Sequence, residues 1–282
     1  MIGKTNDLPF NPLDFQALPH DFTSDYNLGI HTAETTQRYA LGTRYMTWDG
    51  RIYKYYHALA ATRAGNGAKN TYAQALGWSA VASATPVGES YVNVTTGATQ
   101  PGTDNANTSI FAKDGLEGGY VCIFDGGTIV SGIRGITAND AVATGGGTLK
   151  IYIDRPVNLA LTTFDVVEIM ASPYKNLLWA SSAMGPTIVV PVIVATAGQY
   201  SWGQTWGPIW CPPQATAGDN DAAGEENFHL IFRADGSVES HNHASAVGGT
   251  GYNYHQQHAG FVLGCNATKG QAAPFFMLQI SV

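Results

Sequence analysis

The sixteen residues from Gly198 to Pro213, GQYSWGQTWGPIWCPP, constrain the fold more than any other stretch of the chain. Four of them are aromatic (Tyr200, Trp202, Trp206, Trp210), and glycines, prolines and polar spacers surround them. Strict alternation predicts a strand with Tyr200, Trp202, Gln204 and Trp206 on one pleat face and Ser201, Gly203 and Thr205 on the other. A row of wide aromatic side chains buries apolar area at about 25 cal/mol per Å², and Gly203 allows a second backbone to come close. The stretch therefore predicts the central strand of a β-domain or a contact surface. It sets no nucleophile beside a base, which weighs against an enzyme.

Short alternating segments continue on both sides. Arg44 to Trp48 and Ile52 to Tyr56 flank Asp49-Gly50 and predict a β-hairpin. Further strands are expected at 91–95, 120–124, 128–133, 148–153, 166–170, 188–194, 200–206, 228–233, 260–263 and 275–282, punctuated by Asp125-Gly126-Gly127, Gly145-Gly146-Gly147 and Asp235-Gly236. Residues 68–76 suit a short helix. Between Glu117 and Leu178 no helical period survives three turns. The expected architecture is all-β, with antiparallel sandwich or small-barrel domains behind an extended N-terminal arm. The arm is placed at 1–40, where Pro9, Pro12 and Pro19 exclude regular structure while Phe10, Phe15 and Phe22 want burial. A first β-rich domain follows at 41–180, and a second at 181–282, divided near ASSAMGP.

Composition narrows the function. Only 12% of the residues are charged, about half the usual share, 33 are glycine, and the net charge is −7. No basic footprint for nucleic acid exists. No run of eighteen apolar residues offers a membrane span, and the N-terminus shows no secretory leader. Cys122, Cys211 and Cys265 are odd in number and lack a CxxC spacing, which predicts reduced thiols.

Sites with chemistry are few. His229, His241, His243, His255 and His258 cluster in sequence, and His241 with His243 on a strand would share a face. His241, His243, His255 and His258 are thus the weak candidates for holding Zn²⁺ or Ni²⁺. The surrounding Gly-, Ser- and Asn-rich stretch reads as a loop without the cysteines or carboxylates of strong zinc signatures, so no metal and no cofactor is expected. The acidic residues at 219–226 lack EF-hand spacing, Gly145 to Gly147 lacks a following Lys-Ser/Thr, and Ser24 and Ser131 sit on no nucleophile elbow. No catalytic residue emerges.

The hairpin at Leu41 to Ala58, the run GGYVCIFDGG with IRGITANDAVATGGGTLKIYIDRPVNLAL between Gly118 and Leu161, the Ser172-Pro173-Tyr174 turn and Gly198 to Pro208 together resemble structural proteins of tailed-phage virions, most of all the β-rich decoration, or cement, proteins of the head. That resemblance spans about two-thirds of the chain. It implies a non-enzymatic protein, made in the host cytoplasm and carried on the capsid surface, that binds the major capsid protein, bridges capsomers and forms a homo-oligomer, with a trimer favoured. Phe10, Phe15, Phe22, Trp202, Trp206 and Trp210 are the expected interface residues. The alternative is a head-fibre, spike or receptor-binding component whose exposed tryptophans stack on sugars.

Overall fold

The computed structural model describes residues 29–47, 49–70, 74–104, 106–126, 129–179, 185–212, 228–240, 257–264 and 275–281. Strands dominate throughout. Three precede residue 71: β1 (Arg44–Met46), β2 (Ile52–His57) and β3 (Ala68–Lys69). Six follow in the middle of the chain: β4 (Gln74–Ala80), β5 (Tyr91–Thr96), β6 (Tyr120–Asp125), β7 (Ile129–Asn139), β8 (Gly147–Ile153) and β9 (Val166–Met170). The last six are β10 (Thr187–Pro191), β11 (Tyr200–Trp210), β12 (His229–Phe232), β13 (Val238–Ser240), β14 (His258–Gly264) and β15 (Phe275–Gln279). The all-β antiparallel expectation holds, and the helix expected over 68–76 is replaced by β3 and β4, whose Ala68, Ala75 and Leu76 are fully buried.

Two compact units form, one from Met1–Thr71 with Tyr174–Val282, the outer unit by its place in the sequence, and the other from Tyr72–Pro173, the inner unit in the same sense. The division expected near 180–186 is therefore corrected. Its cause is pairing at long range: β2 lies along β11, with Tyr56 opposite Ser201 and Tyr55 opposite Trp202. Local turn chemistry marks strand ends but says nothing about which distant strand supplies the missing hydrogen bonds.

The outer unit is one nine-stranded sheet in the order β1-β2-β11-β15-β14-β12-β13, with β10 against β11 and β3 against β10. Its central strand is β11, as the aromatic stretch predicts. The alternation breaks once, however. Gln204 lies opposite Tyr53, but Trp206 lies opposite Ile52, so Thr205 is an extra residue. Gly207 continues the irregularity at φ +99°, with a β-carbon there meeting Arg51. The bulge exchanges the faces. Trp202 before it packs inward with Tyr39, Tyr45 and Tyr55, whereas after it Ile209 and Cys211 point into the core with Val190, Leu230, Phe276 and Leu278. Trp206 and Trp210 turn to the other side, so the single face expected for Trp202 and Trp206 does not exist.

The inner unit is a six-stranded antiparallel sheet, β4-β9-β6-β7-β8-β5. Val81 bridges Val94, and the Ala82 amide donates to the Asn93 carbonyl at 2.8 Å, which draws the two edge strands together and curls the sheet around its core. That core is aliphatic but for Phe111: Leu76, Val92, Val94, Val121, Ile123, Leu149, Ile151, Val167 and Ile169 all face inward. Gln74 lies opposite Met170, so the unit begins and ends on neighbouring strands. A unit whose two ends lie on neighbouring strands can be inserted into the sequence of another with short connections.

Candidate functional site

The outward face of β4, β9, β6 and β7 carries the largest set of exposed apolar side chains in the inner unit. Its rows follow from the register. Gln74, Met170 and Tyr120 form one row across three strands, Glu168, Cys122 and Ile133 a second, and Ala80, Val166 and Phe124 a third. Tyr120, Met170 and Ile133 are exposed, while Cys122, Phe124 and Val166 are half-buried. Glu168 is the one charged side chain in these rows, and its Oε1 accepts a hydrogen bond from Gln74 Nε2 at 2.6 Å.

Trp78 is built differently from the rest. Its φ is +35°, a left-handed conformation that a bulky residue rarely adopts. The strand is irregular there, because Leu76 pairs with Ile169 and Ser79 with Val167, leaving two residues of β4, Gly77 and Trp78, against one of β9, Glu168. The bulge turns Trp78 out to 57% exposure and lays its ring 4.8 Å from that of Phe124. Strain of this kind costs on the order of 1–3 kcal/mol, and the contact with Phe124 returns only part of it. The bulge thus holds a tryptophan in water at a conformational cost.

Four of the residues expected to act, Trp202, Trp206, Trp210 and His258, lie among the described residues. Trp202 is 3% exposed and belongs to the core of its own sheet, with its ring 5.1 Å from that of Tyr55. Trp206 is half-buried and Trp210 is exposed opposite Phe275, on the outward side created by the Thr205 bulge. The structure thus separates Trp202 from the other two. Phe10, Phe15 and Phe22 lie outside the described residues, as do His241, His243 and His255. The described end of the arm, residues 29–40, packs on its own sheet: Glu34 and Tyr200 exchange backbone hydrogen bonds of 2.9 and 2.7 Å, and Ile30 joins the aromatic cluster. His258 opens β14. Among the described residues no three histidine, cysteine, aspartate or glutamate side chains converge as metal ligands.

Trp78, Phe124, Tyr120, Met170 and Ile133 were not singled out by sequence reasoning, although a signal exists. YVCIF at 120–124 is apolar on both faces of a strand, a pattern that a barrel wall with one wet side does not need. Gly77-Trp78 inside a strand is likewise the mark of a bulge. Electrostatics add little to this face. The Cys122 thiol is pushed up by burial and by the neighbouring Glu168 carboxylate, which favours its protonated form.

Comparison of the chain with protein-family models, with curated proteins and with solved structures finds no match.

Proposed function

We propose that this chain is a virion structural protein, a capsid decoration protein that docks on the assembled head and stiffens it by bridging capsomers. The observation that supports this reading is the outward face around Trp78. It is nearly uncharged and aromatic, and one of its residues, Trp78, is exposed in a strained conformation. Such a surface suits a large protein partner, because a central aromatic anchor surrounded by apolar neighbours carries most of the binding energy of an interface. The low overall charge and the resemblance to cement proteins agree with it. In this reading the major capsid protein supplies the partner surface, and many copies acting together stabilise the shell.

The experiment is co-sedimentation of the purified chain with expanded, empty heads of the phage that encodes it, alongside Trp78→Ala and Phe124→Ala. Saturable binding that raises the temperature of head disruption, and its loss in the two variants, is the expected result. Failure of the native chain to associate with heads rejects the proposal. A second reading, saccharide binding by a fibre or spike component, is favoured by the exposed pair Trp210 and Phe275 on β11 and β15. Binding of the chain to host polysaccharide, lost in Trp210→Ala and untouched by Trp78→Ala, would select it instead.

A further inference from the structure

A bulge in β14 brings two histidines onto one face. His229 lies opposite Phe261 and Leu230 opposite Gly260, but Ile231 lies opposite His258, so Ala259 is the extra residue. Residues directly opposite share a side of the sheet. His258 therefore shares the side of Ile231 and, two residues along β12, of His229. Under unbroken alternation His258 would follow Gly260 to the core side, where Leu230 and Phe232 are packed. The irregularity depends on Gly260, whose φ is +148° and whose missing β-carbon would run into the Met277 carbonyl. The fold thus uses a glycine-dependent bulge to re-aim one imidazole beside another.

The result is a pair of exposed rings with centroids 6.0 Å apart and planes 53° apart. His258 Nε2 lies 3.3 Å from Gln279 Oε1. With Nε2–H as the donor, the Nδ1 lone pair is free, and the ring is oriented by a carbonyl oxygen in the way that supports a metal-ligating histidine. Metal–nitrogen bonds of about 2.0–2.1 Å, with about 1.1 Å more from nitrogen to ring centre, put two imidazoles on one tetrahedral ion at centroids about 5 Å apart. The observed separation is about one ångström wider, a gap that rotation of exposed rings about their broad terminal torsions closes.

We propose that His229 and His258 form a two-imidazole chelate for a borderline divalent transition cation, of the class of Zn²⁺, Ni²⁺ or Cu²⁺, with water completing the coordination and Gln279 positioning the His258 ring. Imidazole nitrogen selects these ions over Mg²⁺ and Ca²⁺, and affinity rises from Ni²⁺ to Cu²⁺. The ion joins β12 to β14 from the solvent side and so stabilises the sheet by binding only its folded form. The inference concerns the outer unit and stands apart from the proposed docking face.

The test is calorimetric titration of the full-length, metal-stripped chain with Zn²⁺ and with Ni²⁺, followed by thermal unfolding. The native chain should bind, and its melting temperature should rise by roughly 5–10 °C at a hundredfold excess over Kd. His229→Gln and His258→Gln should each weaken this binding at least tenfold, the double variant should lose less than the two single losses added together, and His31→Gln should bind as the native chain does. Gln279→Ala should weaken it by about tenfold or more. Broadening of the His229 and His258 ring resonances by substoichiometric Cu²⁺ provides a readout on the unsubstituted chain. Binding undiminished in both single variants, the absence of any metal-dependent melting shift, or Cu²⁺ broadening that spares these two rings would each overturn the proposal.

Discussion

Val189 packs against Gly203 so closely that a β-carbon on the glycine would lie 2.5 Å from Val189 Cβ. β10 and β11 can therefore pair only while residue 203 has no side chain, and Val189 itself is fully buried. Gly203→Ala should lower stability by about 1–3 kcal/mol, the usual range for overpacking. Combining it with Val189→Ala should cost less than the two single losses added together, a coupling that a double-mutant cycle in urea measures.

Trp202 and Trp78 should respond in opposite ways to substitution. Trp202 fills the aromatic core, so Trp202→Ala should cost about 3–5 kcal/mol. Trp78→Gly removes an exposed ring and relieves a left-handed backbone, so its stability should stay within about 1 kcal/mol of the native chain. Particle association should nevertheless be lost. Denaturant midpoints together with head co-sedimentation separate the two effects.

How much of this was legible beforehand follows from the range of each interaction. The hairpin of β1 and β2 is local, its Asp49-Gly50 turn is readable, and Gly50 indeed takes a positive φ of +83°. β5, β6, β8 and β9 also fall where alternation puts them. β7 and β11 run longer than expected because pairing partners, not their own residues, decide where they end. β4 was hidden since Ala, Leu and Gln favour helix in isolation, and burial between Val167, Ile169 and Val121 overrides that preference. The outward assignments of β11 and β14 were hidden for a further reason: a one-residue bulge, at Thr205 in one and at Ala259 in the other, reverses every assignment beyond it.

The inner unit should fold when produced alone. Its core draws on residues 75–171 only, and Gln74 stands opposite Met170 at its two ends. A fragment of residues 72–173 should show a cooperative thermal transition and a β-type circular dichroism spectrum. Non-cooperative melting would contradict this.

Stability should fall as the solution is acidified through the histidine range, and His57 is one cause. Burial, the larger influence, holds its imidazole below the usual range; a hydrogen bond to Asn176 opposes it and the charge of Lys175 adds to it. His57 Nδ1 is buried without a partner, and its ring lies 4.8 Å from that of Tyr200. The unfolded chain therefore takes up a proton more readily than the folded one. Its contribution is complete above about pH 6.5 and is lost on going lower, with a slope of at most about 1.4 kcal/mol per pH unit. His57→Gln should flatten that part of the profile, measured by denaturant unfolding at several pH values.

The two described cysteines should differ in reactivity. Complete burial pushes the Cys211 thiol far up, whereas Cys122 is half-buried on the outward barrel face. In a Cys265→Ser background, maleimide should label Cys122 slowly and Cys211 only after unfolding. Bound heads should protect Cys122 if the face around Trp78 is the one that docks. Mass spectrometry of labelled peptides gives the ratio.

The insertion of one unit within another also sets an order of assembly on the ribosome. Thr205 reaches back to the Ile52 carbonyl across 153 residues, so β2 and β3 are synthesised long before their partners β11 and β10 exist. The barrel, with nearby pairings, can close while they wait. During that interval Tyr53, Tyr55 and Tyr56 have no β11 to cover them, and the nascent chain carries a sticky tyrosine strip whose exposure lasts for as long as translation takes to deliver Trp202.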